Sequence, residues 1–125
     1  MPTLDIPKTT STPQIHFDAA ENILRISGES YPENSFEFYA QVFGWVKEFL
    51  AEQHALDLEI NVSYLNSSST KCLLDLLDLL EGYHGKGARV AIVWRYDKDN
   101  PRSRGLAMEF QEEVTFPFTI AEYEE

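Results

Sequence analysis

The stretch from Leu56 to Leu80 constrains this chain most. Leu56, Leu58, Ile60, Val62 and Tyr64 alternate with Asp57, Glu59, Asn61 and Ser63, the period-two pattern of a strand buried on one face. A polar turn follows, Asn66-Ser67-Ser68-Ser69-Thr70-Lys71. Leu73, Leu76, Leu77 and Leu80 then recur at helical spacing, with Lys71, Asp75, Asp78 and Gly82 on the opposite face. A strand that passes through a short turn into an amphipathic helix is half of a βαβ unit. In such folds the turn lies at the carboxyl end of the sheet, where functional groups gather.

The flanking segments extend this unit. Residues 1–14, with Pro2, Pro7 and Pro13, read as an extended arm. Ile15–Phe17 and Ile23–Ile26 read as a hairpin of short strands around a polar turn, followed by a loop from Gly28 to Glu33. Asn34 or Ser35 is placed to cap a helix over Ser35–Gln53, with Glu37 completing a capping box on Asn34. Val90–Trp94 is a compact apolar strand expected to be covered on both faces. Pro101 suits the first turn of a short helix over Arg102–Glu113, and Phe116–Ile120 reads as a closing edge strand before a solvated Glu-Tyr-Glu-Glu tail. The expected order is β-β-α-β-α-β-α-β, a single α/β domain over residues 1–125 with a mixed, largely parallel sheet. Leu58, Ile60, Val62, Leu73, Leu77, Val90 and Ile92 are its expected core.

The helix over Ser35–Gln53 carries two apolar stripes. Phe36, Tyr39, Ala40, Phe43, Val46 and Leu50 form one, and Phe38, Val42, Trp45 and Phe49 the other. A surface helix needs one such face. The second stripe is therefore either a widening of the core or a partner-binding surface.

Composition narrows the chemistry. A formal net charge of −11 over 125 residues argues against a nucleic-acid surface and against attraction to an anionic membrane. Cys72 is the sole cysteine, which excludes an intramolecular disulfide and reads as a small buried hydrophobe. No signal-peptide pattern and no membrane-length apolar run occur, so a cytoplasmic setting without membrane insertion is expected. His16, His54 and His84 fall on separate elements without metal-ligand spacing, and no glycine-rich phosphate loop or nucleophile elbow is present. No cofactor, no metal and no enzymatic activity are expected. The serine cluster has two readings: helix capping, or phosphorylation, which adds about −1.5 to −2 charges where the helix dipole favours an anion. Lys71 stands on the first turn, within reach of such a phosphate.

Four segments, Ser11-Thr12-Pro13, Gly28-Glu29-Ser30-Tyr31-Pro32-Glu33-Asn34, Tyr64-Leu65-Asn66-Ser67-Ser68-Ser69 and Trp94-Arg95-Tyr96-Asp97, resemble the SiaC family of small bacterial biofilm-regulatory phosphoproteins. The resemblance covers nearly the whole chain and implies a fold similar to STAS domains, the class that includes anti-sigma-factor antagonists. It further implies a partner switch. A Ser/Thr kinase phosphorylates the hydroxyl residue after the motif asparagine, and a PP2C-type phosphatase reverses this. The unphosphorylated form activates a diguanylate cyclase and so raises cyclic di-GMP. Carried over, the acceptor is Ser67, after Asn66, where the family commonly has threonine. Related STAS proteins use the second hydroxyl of the turn, which keeps Ser68 as the rival. Ser69 and Lys71 complete the phosphosite surroundings, and Phe38, Val42, Trp45, Phe49, Asp75 and Asp78 are the expected partner-binding residues. An anti-sigma-factor antagonist or another STAS-like scaffold is the alternative, and a small enzyme lies beyond it.

Overall fold

The computed structural model describes residues 3–124, so Met1 and Pro2 of the expected arm and Glu125 of the expected tail lie outside the described residues. The elements are β1 (Asp5–Ile6), β2 (Gln14–Asp18), β3 (Ile23–Ser30), α1 (Ser35–Gln53), β4 (Ala55–Leu65), α2 (Ser67–Gly85), β5 (Arg89–Asp97), α3 (Pro101–Glu112) and β6 (Phe118–Tyr123). They build one sheet in the order β1-β2-β3-β4-β5-β6. The β1–β2 and β2–β3 pairs are antiparallel, and the remaining three pairs are parallel. This is the mixed, largely parallel α/β domain expected, with one more strand at its start.

The alternation along β4 sets the faces of the whole sheet. Registered across the strands, Phe17, Leu24, Leu58, Ile92 and Phe118 form one buried row, and Ile15, Ile26, Ile60 and Trp94 form the next. The three helices cover this face, α1 through Trp45 tilted against and Phe49 edge-on to Phe17, and α3 through Phe110 edge-on to Trp94. Every residue of the expected core is buried.

The other face stays open and carries ion pairs. Arg25 reaches Asp18, Glu21 and Glu59 at 2.9, 2.8 and 2.6 Å, and Arg95 shares Glu59 at 3.2 Å. This corrects the reading of Val90–Trp94 as a strand covered on both sides. Val93 is 38% exposed, because among the described residues no helix crosses to its side. An unbroken apolar run signals double coverage only when the connections alternate faces, and here they do not.

Several boundaries also differ; β5, for one, runs from Arg89 to Asp97, beyond the expected Val90–Trp94. Within the arm, Asp5–Ile6 pairs with β2, and Ser11 accepts a hydrogen bond from the Tyr31 amide at 2.7 Å. β3 runs on to Ser30 through a bulge at Gly28 and Glu29, where a loop was expected. Gly28 has φ +118°, so the backbone of the bulge favours glycine, and the Lys8 side chain lies 3.3 Å from where a Cβ would stand. β6 starts and ends later than expected. Its pairing with β5 reaches Tyr123, whose ring lies under Arg95 and whose hydroxyl bonds Asn61 at 3.1 Å, so Glu122 and Tyr123 of the expected tail are strand.

Leu77 is fully buried on α2. Leu77→Ala is expected to cost about 2–5 kcal/mol by opening a cavity, read as a lowered urea midpoint at unchanged slope.

Candidate functional site

The βα turn singled out by the sequence forms the start of α2. Asn66, not a serine, is the N-cap: its Oδ1 accepts from the Ser69 amide at 2.9 Å, and its carbonyl accepts from the Thr70 amide at 2.9 Å. Asn66 also anchors the turn to the preceding segment, donating from its amide to the Ser30 carbonyl at 3.0 Å and from Nδ2 to the Pro32 carbonyl at 3.4 Å. With the cap supplied by Asn66, the serines are released for other work.

Their environments diverge within one turn. Ser69 is fully buried and joins Ser30 at 2.8 Å and Ser35 at 3.1 Å, while Ser30 meets the Tyr39 hydroxyl at 2.6 Å. Ser68 is half-buried, 2.8 Å from the Ser35 hydroxyl and donating to Asn66 Oδ1 at 3.3 Å. Ser67 is exposed, and its hydroxyl makes no hydrogen bond among the described residues. The first turn of α2 contains no acidic residue, and no intrahelical carbonyl reaches its first amides. The turn thus presents one free hydroxyl, one tethered hydroxyl and one sealed hydroxyl in succession. Lys71, four residues beyond Ser67 and so on the same helix face, is exposed and pairs with Asp75 at 3.6 Å.

The expected partner-binding residues are dispersed. Val42, Trp45 and Phe49 belong to the core, at 0%, 6% and 0% exposure, which removes them as a partner surface on this domain. The two stripes of α1 form one buried arc of Tyr39, Val42, Trp45, Val46, Phe49 and Leu50. At about 100° per residue, that arc is centred between the stripes and leaves their outer members at its margins. Phe36, assigned to the core stripe, falls outside the arc and is 56% exposed, whereas Phe38 lies within it but in the first turn of α1 and is half-buried. Asp75 is half-buried and Asp78 exposed, both farther along α2 than the turn. Cys72 is buried, and burial pushes its thiol up.

Sequence reasoning did not find the hydroxyls beneath the turn. Ser30, Ser35 and Tyr39 sit on β3 and α1 and meet Ser69 only through the fold. Nor did it find the aromatic groups near the turn: Tyr31 and Tyr64 are 41% and 44% exposed, with ring centroids 6.0 Å apart. The quoted Ser30-Tyr31-Pro32-Glu33-Asn34 segment was the available signal for both.

A helix-covered sheet carrying a free hydroxyl at a helix start, over a closed hydroxyl network, suits a regulatory phosphoprotein. The chain belongs to the SiaC family: the family model described as "SiaC family regulatory phosphoprotein" matches residues 6–123. An uncharacterised protein of Pseudomonas aeruginosa strain UCBPP-PA14 is 47% identical over the full length of both chains. The structure of SiaC of P. aeruginosa superposes with a TM-score of 0.90 at 45% identity, covering 98% of this chain and 100% of that one. SiaC in complex with the diguanylate cyclase SiaD, of which it is the activator, superposes equally well at 46% identity, covering 96% of this chain and 99% of that one. Among the described residues, no helix is long and apolar enough to cross a membrane.

Two outcomes test this geometry. Asn66→Ala is expected to lose about 1 kcal/mol from the missing cap, measured by urea denaturation. Burial, opposed by the Ser30 and Ser69 hydroxyls, pushes the Tyr39 phenol up to about 12 from 10.0. The native state thus holds this proton where the unfolded chain releases it, so the contribution to stability is full below pH 10.0 and lost as pH rises toward about 12. Tyr39→Phe should flatten that alkaline decline, seen in urea midpoints measured across the same range.

Proposed function

We propose that this protein is a cytoplasmic partner switch whose unphosphorylated form binds and activates a diguanylate cyclase. A Ser/Thr kinase switches it off by phosphorylating Ser67, and a PP2C-type phosphatase restores it. The observation that carries the choice of Ser67 is the graded exposure of the turn. A kinase reaches the Ser67 hydroxyl without breaking a hydrogen bond. At Ser68 it would first break the links to Ser35 and Asn66. At Ser69 it would have to open the core.

The same geometry supports a switch that leaves the fold intact. A phosphate on Ser67 faces the amides of the first turn and the positive end of the helix dipole. Lys71 is near enough to turn from Asp75 toward it. The folded state therefore accommodates the dianion, and the effect falls on whatever docks against the turn. A partner group of apolar or acidic character there meets desolvation and repulsion.

The test is a calorimetric titration of the cyclase with wild type, phosphorylated protein and two variants. Ser67→Ala should bind as wild type and accept no phosphate. Ser67→Asp should keep the thermal midpoint within a few degrees and bind more weakly, by less than the phosphorylated protein, since a carboxylate carries less charge than a phosphate. Phosphate mapped to Ser68 by mass spectrometry would move the acceptor by one residue. Equal binding of phosphorylated and unphosphorylated protein would sink the switch.

A further inference from the structure

The sheet ends on β6, and the outer side of that strand is open. The Ile92 amide donates to the Pro117 carbonyl at 3.0 Å and the Lys98 amide to the Tyr123 carbonyl at 2.9 Å. Residues 117, 119, 121 and 123 therefore turn their backbone groups toward β5. By the two-residue period of a strand, Phe118, Ile120 and Glu122 turn theirs outward. Gln111 Nε2 donates to the outward Phe118 carbonyl at 2.8 Å. Among the described residues, the outward amides and carbonyls of Ile120 and Glu122 have no partner. A free edge is ordinarily blunted by a bulge, a lysine or a proline. Phe118–Tyr123 pairs with β5 without a bulge, contains neither residue, and has Glu122 as its one charge.

Beside this edge, α3 and β6 border a groove of about 390 Å³ lined by Tyr96, Arg104, Met108, Gln111, Ile120 and Glu122. Met108 is 44% exposed there. Arg104 and Glu112 stand one helical turn to either side of it, on the same face of α3. Both are exposed and make no ion pair among the described residues.

We propose that β6 is a self-association edge, at which two copies of this chain join their β6 strands antiparallel about a two-fold axis at Ile120. The outward residues fit this register in full. Ile120 faces Ile120 of the second copy and Phe118 faces its Glu122, each pair exchanging two backbone hydrogen bonds. The Phe118 carbonyl exchanges its Gln111 partner for a backbone amide, so the net gain lies at Ile120 and Glu122. The same axis sets α3 antiparallel to its copy. Since α3 packs against both β5 and β6 and strands lie about 4.8 Å apart, the two helices come to about 10 Å, a packing distance. Met108 then meets Met108 of the second copy over the groove, and Arg104 meets its Glu112, twice by symmetry. A two-fold contact needs a self-complementary stripe, and Arg104, Met108 and Glu112 form one. β6 lies two places from β4 in the sheet, so the Ser67 turns of both copies stay uncovered.

Sedimentation velocity of the full chain across a concentration series tests this, with a charge exchange as the decisive comparison. Wild type should pass from monomer to dimer with a Kd on the order of 10–100 μM, as small interfaces do. Arg104→Glu and Glu112→Arg should each weaken association about tenfold or more by setting like charges face to face. The double variant carrying both should return to within about threefold of wild type. Both changes suit the dipole of α3, so the loss does not come from a weakened helix. Glu112→Arg also makes the chain less acidic. Association governed by net charge alone would strengthen in that variant, and such a result overturns the proposal. Ile120→Pro removes an outward amide that β5 does not use, at an edge position that tolerates proline, and should abolish the dimer. In concentrated wild type, the Ile120 and Glu122 amides should exchange more slowly with solvent than in dilute samples.

Wild type that stays monomeric up to about 1 mM overturns the second copy as occupant and leaves the edge to a strand of another protein. A dimer that the double variant fails to restore, or that leaves those two amides unprotected, forms elsewhere and equally overturns the proposal. Should Ile120→Pro fail to fold, the charge exchange decides the matter.

Discussion

The side-chain oxygen of Asn66 holds this architecture together at its functional end. By accepting from the Ser69 amide it begins α2, and the same residue is hydrogen-bonded to the Ser30 and Pro32 carbonyls. One residue therefore joins the ends of two neighbouring parallel strands to the start of a helix. Ser69, turned inward by that cap, reaches Ser30 and Ser35 and through Ser30 approaches Tyr39. Four buried hydroxyl groups satisfy one another there without an ion. Buried polar groups cost stability unless bonded, so the network also fixes the distance between α1 and α2 at their N-termini.

That arrangement separates two tasks within a single turn. The inward hydroxyls are committed to structure, and the outward one, Ser67, is uncommitted. A modification at Ser67 therefore adds charge without subtracting a native bond. The dipole and open amides of α2 favour an anion at this end, and the absence of an acidic residue from the first turn leaves that preference unspent. Under the switch proposed above, the surface changes sharply while the interior stays as it was.

The opposite side of the molecule follows a different logic. With all helices on one face, the sheet's other face must be soluble by itself, and it carries a lattice of charges centred on Arg25 and Glu59. The Arg25 hydrogen bond and two backbone amides hold the Asp18 carboxyl below the usual aspartate range. Half-exposed pairs of this kind contribute modestly to stability. Their larger effect is to keep a six-stranded sheet from presenting an apolar plane.

How much of this was legible in sequence depends on the range of the interaction involved. The alternation of β4, the leucine spacing of α2 and the bounds of α1 are local periodicities, and the chain follows them, because burying one face is the same problem whatever lies opposite. The position of the Ser67 turn was legible for the same reason. Which face each marginal residue takes was not. Val42, Trp45 and Phe49 lie on an apolar stripe that serves equally for core or partner, and the packing of α1 against Phe17 on β2 decided it. Val93 lies in a run that suits double coverage, and the shared side of the three crossovers decided it. The difference among Ser67, Ser68 and Ser69 was hidden altogether, since all three have the same side chain in consecutive positions. Only the approach of Ser30, Ser35 and Tyr39 from distant segments makes one hydroxyl structural, one tethered and one free. The sequence by itself determined the elements and their amphipathic faces. The tertiary structure alone decided exposure, because exposure depends on which distant residues arrive to cover a side chain.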